Sequence, residues 1–195
     1  MTFSAYSARA QEYADLLGSM EAMSPTDERT ILDWAGTVRG PLLDAGCGPG
    51  HWTAHLAARG HDARGMDPVP EFVEIAQRAH PGIPYSLGTF ADLAQRPGSW
   101  GGILAWYSLI HLEPSAVPET LATLHDALAP GGALLMGFFD GPRQEAFDHA
   151  VAPAQHWPLD LLSELVEQAG FEVLDSQRRQ DPGSRPHGAI SARRR

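Results

Sequence analysis

An α/β fold, with a mostly parallel sheet of seven strands layered between helices and closed by an antiparallel terminal hairpin, is what this chain predicts. Three observations carry that expectation. Short apolar runs alternate with longer amphipathic segments, Gly or Pro stands at the junctions, and a cluster of glycines follows the first apolar run. The length of 195 residues fits one domain, read here as a helical amino-terminal cover over residues 1–37 and a sheet-bearing core over 38–195.

Residues 4–17 and 26–36 have helical apolar spacing, with Ser24-Pro25-Thr26 between them as a turn and start signal. The run Val38 to Ala45 reads as a first strand buried on both faces, ending in Gly46-Cys47-Gly48-Pro49-Gly50, and Trp52 to Ala58 forms the next helix with its stop at Gly60. A second strand ends at Asp67. Pro70 suits a helix start, Phe72, Val73, Ile75 and Ala76 give that helix its apolar stripe, and Pro81-Gly82 ends it. A short third strand spans Pro84 to Leu87, and the strongly apolar Gly101 to Leu109 reads as a central strand. Glu113-Pro114-Ser115 opens a helix with Leu121, Leu124 and Leu128 at helical spacing, which Pro130-Gly131-Gly132 stops. Ala133 to Phe139 is the fifth strand, 140–157 is read as irregular, and Leu159 to Gln168 is a helix closed by Gly170. Phe171 to Ser176 and Gly188 to Ala192 complete the sheet as the hairpin. No internal repeat or low-complexity segment interrupts this order.

Composition removes several function classes. Hydrophobic residues make up 43% and charged residues 19%, and no apolar run reaches the roughly eighteen residues of a membrane span, so a soluble domain is expected. All 14 basic residues are Arg; without Lys, the phosphate-binding loop lysine, Schiff-base catalysis and pyridoxal-phosphate attachment are excluded. A net charge of -10 opposes nucleic acid as a partner, and Arg193, Arg194 and Arg195, the only basic run, are expected to be a solvated end. The single Cys47 cannot form an internal disulfide, and the first residues lack the pattern of a secretory leader, so a cytoplasmic location is expected.

The segment Leu42-Leu43-Asp44-Ala45-Gly46-Cys47-Gly48-Pro49-Gly50-His51 lies at the carboxyl end of the first strand, where open parallel sheets place ligands. A dinucleotide fingerprint needs a third glycine where this chain has His51, so a nicotinamide cofactor is poorly matched. Asp44 at the loop entrance would repel a pyrophosphate but suits a ligand carrying an ammonium and a sulfonium, and the small glycines are expected to let backbone N–H groups approach it. S-adenosylmethionine carries those charges. Asp67, at the end of the second strand, is placed to accept both hydroxyls of a ribose.

Five segments in this order, LLDAGCGPGHWTAHLAARGHDARGMDP, GTFADL, GILAWYSLIHL, LAPGGALLMGFF and LVEQAGFEVL, resemble the class I S-adenosylmethionine-dependent methyltransferases, in particular their small actinobacterial-type members. The resemblance covers most of the chain and implies a Rossmann-like single methyltransferase domain. It implies that Asp44, Gly46, Gly48 and Gly50 shape the methionine end of the cofactor and that Asp67 holds the ribose, with Cys47, Trp52 and Pro68 also among the cofactor-binding residues. Thr89 and Phe90 are placed beside the adenine. Many members of the family carry an acid at the position of Thr89, and Asp92 stands as its substitute here. Ala105 and Trp106, with Tyr107, match the end of the fourth strand under the cofactor, and Tyr6 or Tyr13 is implied as a cover.

Methyl transfer from a sulfonium is an in-line displacement that asks chiefly for alignment in a dry pocket. A phenol or alcohol acceptor also needs its proton removed, and His111, with Tyr107 as a further donor or acceptor, is the candidate for that role. Phe139, His149 and Trp157, together with Phe147 and His156, are candidate walls of the acceptor site. Trp52 and Trp106 are candidates for a cation-π contact to the sulfonium. His51 and His55 share a helix face at metal-ligand spacing, but no glutamate follows His51 in the metalloprotease manner and the only Cys lies inside the glycine loop, so no metal is expected. The function expected is methyl transfer from S-adenosylmethionine to an O, N or C nucleophile of a small organic molecule. An inactive protein that binds S-adenosylmethionine or S-adenosylhomocysteine, and a nicotinamide-dependent oxidoreductase, are the alternatives; the oligomeric state is unassigned.

Overall fold

In the computed structural model, which describes residues 2–181 and 183–195, the expected alternation of strands and helices is present with shifted ends. The prelude holds α1 (Thr2–Ala8), α2 (Ala10–Leu17) and α3 (Pro25–Ala35). One helix over 4–17 was the expectation; Arg9, at φ -123 and ψ 15, breaks it in two, and its guanidinium turns to Glu12 and to the Ala150 carbonyl. Ser24 caps α3 by accepting the Thr26 N–H at 3.2 Å, with Pro25 at the first helical position.

The core follows as β1 (Leu42–Ala45), α4 (His51–Ala57), β2 (Ala63–Asp67), α5 (Pro70–Ala79), β3 (Tyr85–Leu87), β4 (Trp100–Trp106), α6 (Val117–Ala127) and β5 (Leu128–Asp140). It continues with β6 (Glu145–Phe147), β7 (Ala154–Trp157), α7 (Leu159–Gln168), β8 (Phe171–Arg179) and β9 (His187–Arg194). β1 starts four residues later than expected, because Thr37 and Val38 still bond back into α3 and Pro41 brings no N–H to a ladder. β4 stops at Trp106 rather than Leu109, because Tyr107 takes a left-handed φ of 53.

The strands run in the order β3-β2-β1-β4-β5, parallel throughout, and β9 then β8 continue the sheet antiparallel beyond β5. These are the seven expected strands. Two more come from the segment read as irregular: β6 and β7 form a small antiparallel hairpin. β4 pairs with β5 only as far as Trp106 opposite Gly137, and β7 then takes up the same edge, with Phe139 paired to His156 on that side and to His187 of β9 on the other. The hairpin therefore sits over the carboxyl end of β4, where the space vacated by the turn at Tyr107 leaves backbone groups of β5 to be satisfied.

Alternate side chains of the parallel strands enter two cores. Leu43, Ala45, Ile103, Ala105, Leu134 and Met136 pack with α6 and α7, while Leu42, Leu104, Ala133 and Leu135 pack with α3 and α4. That two-sided burial, each Leu adding about 1.5–3 kcal/mol, is why these strands are apolar without a break. The arginine run is solvated only in part: Arg193 and Arg195 are exposed, but Arg193 and Arg194 belong to β9 and the Arg194 guanidinium donates to the Asp126 and Leu128 carbonyls at the end of α6, where cations are favoured. No helix among the described residues is long and apolar enough to cross a membrane.

Candidate cofactor and acceptor site

A cavity of about 270 Å³ opens at the carboxyl ends of β1, β2 and β4, where the strand order reverses. Its floor includes Gly46 and Gly48 from the loop after β1, Met66, Asp67 and Pro68 from the end of β2, and Gly88, Thr89 and Phe90 beyond β3. Val69 and Phe72 of α5, Tyr6 and Tyr13 of the prelude, and the turn Trp106, Tyr107, Ser108, His111 and Leu112 close the rest.

Asp67 is 5% exposed and takes two backbone bonds, from the Gly48 N–H at 2.8 Å and the Val69 N–H at 2.9 Å. Burial nonetheless pushes its pKa up to about 6. Asp44 is deeper, faces α4 rather than the cavity, and accepts the Thr53 hydroxyl at 2.7 Å. Its pKa is pushed up to about 7, chiefly by burial and further by the Asp67 charge, against the pull of Thr53. Asp44 is thus not an exposed entrance acid; it is buried behind the loop, outside the cavity lining.

The glycine loop differs from expectation in another respect. Its N–H groups do not face a ligand: Gly46 and Cys47 donate to the Met66 carbonyl, Gly48 to Asp67, Gly50 to the Cys47 carbonyl, and Pro49 has none. Gly46, at φ 86, presses against the next turn, since a Cβ there would stand 2.3 Å from Cβ of Ser108. Gly48, at φ 52, has no atom within 4 Å of where its Cβ would be, and that space is the cavity. Gly50 lies aside, under the Tyr85 hydroxyl that donates to its carbonyl at 3.0 Å.

No Arg lines the cavity among the described residues, so a diphosphate would meet spent N–H groups, a carboxylate and no cation. A nucleoside carrying positive charge meets the reverse. The donor set and the open cradle at Gly48 therefore fit S-adenosylmethionine and disfavour a dinucleotide.

Several expected residues stand elsewhere. Trp52 is buried among Leu42, Leu56 and Leu104 on the α3/α4 side of the sheet; Cys47 packs against Val73, Ala76 and Tyr85, and Ala105 is fully buried in the α6/α7 core. Trp157 is in that same core, and neither it nor Phe139 or His149 borders the cavity. Asp92 is committed to Thr89, accepting from both its N–H at 2.7 Å and its hydroxyl at 2.8 Å, and does not reach the cavity. His55 turns to the Glu28 carboxylate at 2.8 Å, and no group of three metal-ligating side chains exists among the described residues.

His111 is held at both ring nitrogens. Nδ1 lies 2.8 Å from the Pro153 carbonyl and Nε2 lies 2.7 Å from the Tyr6 hydroxyl. A carbonyl only accepts, so Nδ1 carries the proton and Nε2 takes the Tyr6 O–H. Burial lowers the pKa of this imidazole and keeps it neutral, in the form that can accept a proton. Tyr107 points its hydroxyl at Nδ1 of His187, 2.5 Å away. Phe139, Phe147, His149 and His187 form a ring cluster behind Tyr107 and His111, the outer face of the acceptor end rather than its lining.

Sequence reasoning missed Met66, Val69, Phe72, Gly88, Ser108 and Leu112 as lining, and His187 as the partner of Tyr107. Ser108 Oγ is buried without a hydrogen-bond partner. Its place three residues before His111 in Ser108-Leu109-Ile110-His111 was the only signal available in advance.

The model of a methyltransferase domain family matches residues 9–176. The chain belongs to this methyltransferase family. An uncharacterized methyltransferase of Mycobacterium tuberculosis is 29% identical over 126 residues, covering 63% of this chain and 49% of the relative. The 2-heptyl-1-hydroxyquinolin-4(1H)-one methyltransferase of Mycobacteroides abscessus is 28% identical over 143 residues, 70% of this chain and 63% of its own. The chain thus spans about half to two thirds of the length of these curated relatives. The fold of this chain is shared with the 1,6-didemethyltoxoflavin-N1-methyltransferase of Burkholderia thailandensis, solved with bound 1,6-didemethyltoxoflavin and S-adenosylhomocysteine, at a TM-score of 0.76, 24% identity, and coverage of 98% of this chain and 86% of that one.

Proposed function

We propose that the cavity binds S-adenosyl-L-methionine and that the protein transfers the methyl group to an oxygen, nitrogen or carbon nucleophile of a small organic molecule, leaving S-adenosyl-L-homocysteine. The observation that carries this reading is the union of a buried carboxylate, Asp67, with a glycine loop whose N–H groups are spent internally and a wall that, among the described residues, holds no Arg. When bound, the cofactor supplies an electrophilic methyl carbon on a sulfur that departs neutral. Asp67 accepts the ribose hydroxyls, Gly48 leaves room for the amino-acid end, and Pro68, Thr89 and Phe90 flank the adenine. Tyr6, Tyr13 and Phe72 exclude water from above. His111, neutral and with Nε2 facing the cavity, receives the acceptor's proton, and Tyr107 shapes the turn that presents it.

The family membership, and the methyltransferases similar in sequence to this chain, support the reaction class. A single buried, unpaired Cys47 is compatible with a reducing compartment, and we assign the protein to the cytoplasm on that ground. Calorimetry decides the cofactor: saturable heat with S-adenosylmethionine and with S-adenosylhomocysteine, and none with NADH, is expected. Saturation by NADH alone would refute the proposal.

A further inference from the structure

Tyr6 occupies the acceptor end of the cavity in an informative way. Its ring stands edge-on to Tyr13 at 5.8 Å and to His111 at 5.2 Å, tilted against Phe72 at 5.9 Å, and its hydroxyl donates to Nε2 of His111 at 2.7 Å. The nitrogen assigned to receive the acceptor's proton is therefore already engaged, by an aromatic hydroxyl of the chain itself. The surroundings select against other chemistries. Tyr6, Tyr13, Asp67, Tyr107 and His111 are the titratable side chains on the wall among the described residues, so a carboxylate or phosphate group on the acceptor would find no cationic side chain to pair with. The remaining surface at this end, Phe72, Trp106 and Leu112, is apolar and largely aromatic.

We infer that the methyl acceptor is an uncharged aromatic hydroxyl compound, and that Tyr6 is a resident surrogate whose hydroxyl the acceptor's own must displace from His111. This rests on the methyl-transfer reading above. In the step, the acceptor O–H breaks and its proton passes to Nε2 of His111, while Nδ1–H stays on the Pro153 carbonyl. An oxygen electron pair forms the O–CH3 bond, and the electrons of the S–CH3 bond remain on sulfur, which leaves as the thioether. The acceptor thus gains one methyl group, and the proton it loses is held by the imidazole. Burial holds the Tyr6 hydroxyl well above its usual range, so Tyr6 stays a phenol and is not itself a nucleophile.

The test compares the parent protein with Tyr6→Phe, which keeps the ring and removes the competing hydroxyl. Each is saturated with S-adenosylhomocysteine and titrated with 2-naphthol, 2-naphthoate and naphthalene, following heat and the 15N signals of His111. The expected result is a gain of about tenfold or more in 2-naphthol affinity on Tyr6→Phe, with a shift of the Nε2 signal, and less than threefold for the other two probes. Adding His111→Asn to Tyr6→Phe should erase the gain. Equal 2-naphthol affinity in the two proteins, an equal gain for 2-naphthoate, or a gain that survives His111→Asn would overturn the inference. Methylation of 2-naphthylamine or 2-naphthoate in preference to 2-naphthol would overturn the acceptor class while leaving methyl transfer standing. Absence of heat with S-adenosylhomocysteine alone would instead remove the methyl-transfer reading, and the naphthol comparison on the cofactor-free protein would still judge the placement of the hydroxyl.

Discussion

The hydroxyl of Tyr107, at the end of β4, lies 2.5 Å from Nδ1 of His187 on β9, eighty residues along the chain. Tyr107 is the one non-glycine residue with positive φ among those described, and the bond crosses β5 to the antiparallel part of the sheet. A left-handed backbone at a bulky residue is strained, and partners on both sides keep it in place. Removing His187 leaves a mostly buried phenol unpaired. His187→Ala should cost about 1–3 kcal/mol in urea unfolding, and Tyr107→Phe in that background should cost clearly less than Tyr107→Phe alone. Additive losses would mean that the two groups are energetically independent.

Asp44 makes the ligand-free protein sensitive to pH. Its folded pKa of about 7 lies above the unfolded value near 4, so the folded state binds the extra proton in between. The contribution is fully present below about pH 4 and is lost as pH rises through about 7, on the order of 4 kcal/mol from this group at most. Asp67, raised to about 6, acts in the same direction. Thermal unfolding of the free protein between pH 4.5 and 8 should therefore show a declining contribution that Asp44→Asn flattens. An unchanged profile in Asp44→Asn would contradict the assignment.

Cofactor binding should release protons. A sulfonium and an ammonium near Asp44 and Asp67 favour their charged forms and pull both pKa values down. Binding heats measured near pH 6.5 in buffers of different ionisation enthalpy should differ with the sign of proton release. Proton uptake, or heats independent of buffer, would count against a cationic ligand at this site.

Two neighbouring glycines should respond differently to Ala. At Gly46 the added Cβ collides with Cβ of Ser108 at 2.3 Å as well as straining the backbone, so Gly46→Ala should lose several kcal/mol of stability, about 3 or more. At Gly48 the methyl group enters open cavity, and the strain of φ 52 costs about 1–2 kcal/mol. Gly48→Ala should therefore remain folded and lose cofactor affinity by a larger factor than stability. Chemical denaturation beside calorimetry separates the two effects.

The residues legible in advance were those whose role is local to one strand end. Asp67 and the glycine loop could be placed because a parallel strand, its turn and the following helix are contiguous, and their ligand-facing end follows from the topology. His111 was legible as a titratable group just beyond an apolar strand. Trp52, Asp92 and Trp157 were misplaced because proximity along the chain does not say which face of an element a side chain takes: the two tryptophans are buried in the cores on either side of the sheet, and Asp92 is spent on Thr89.

By itself, the sequence determined the layer architecture and the succession of strands and helices along the chain, because apolar periodicity and turn residues are properties of short segments. Only the tertiary structure decided that the loop's N–H groups are spent, that segment 140–157 extends the sheet as a hairpin, and that Tyr6 reaches His111 and Tyr107 reaches His187. Those contacts join residues 105 and 80 positions apart. Their formation depends on how whole helices and strands pack, and no local pattern encodes the distance between two side chains that meet only after the sheet has closed.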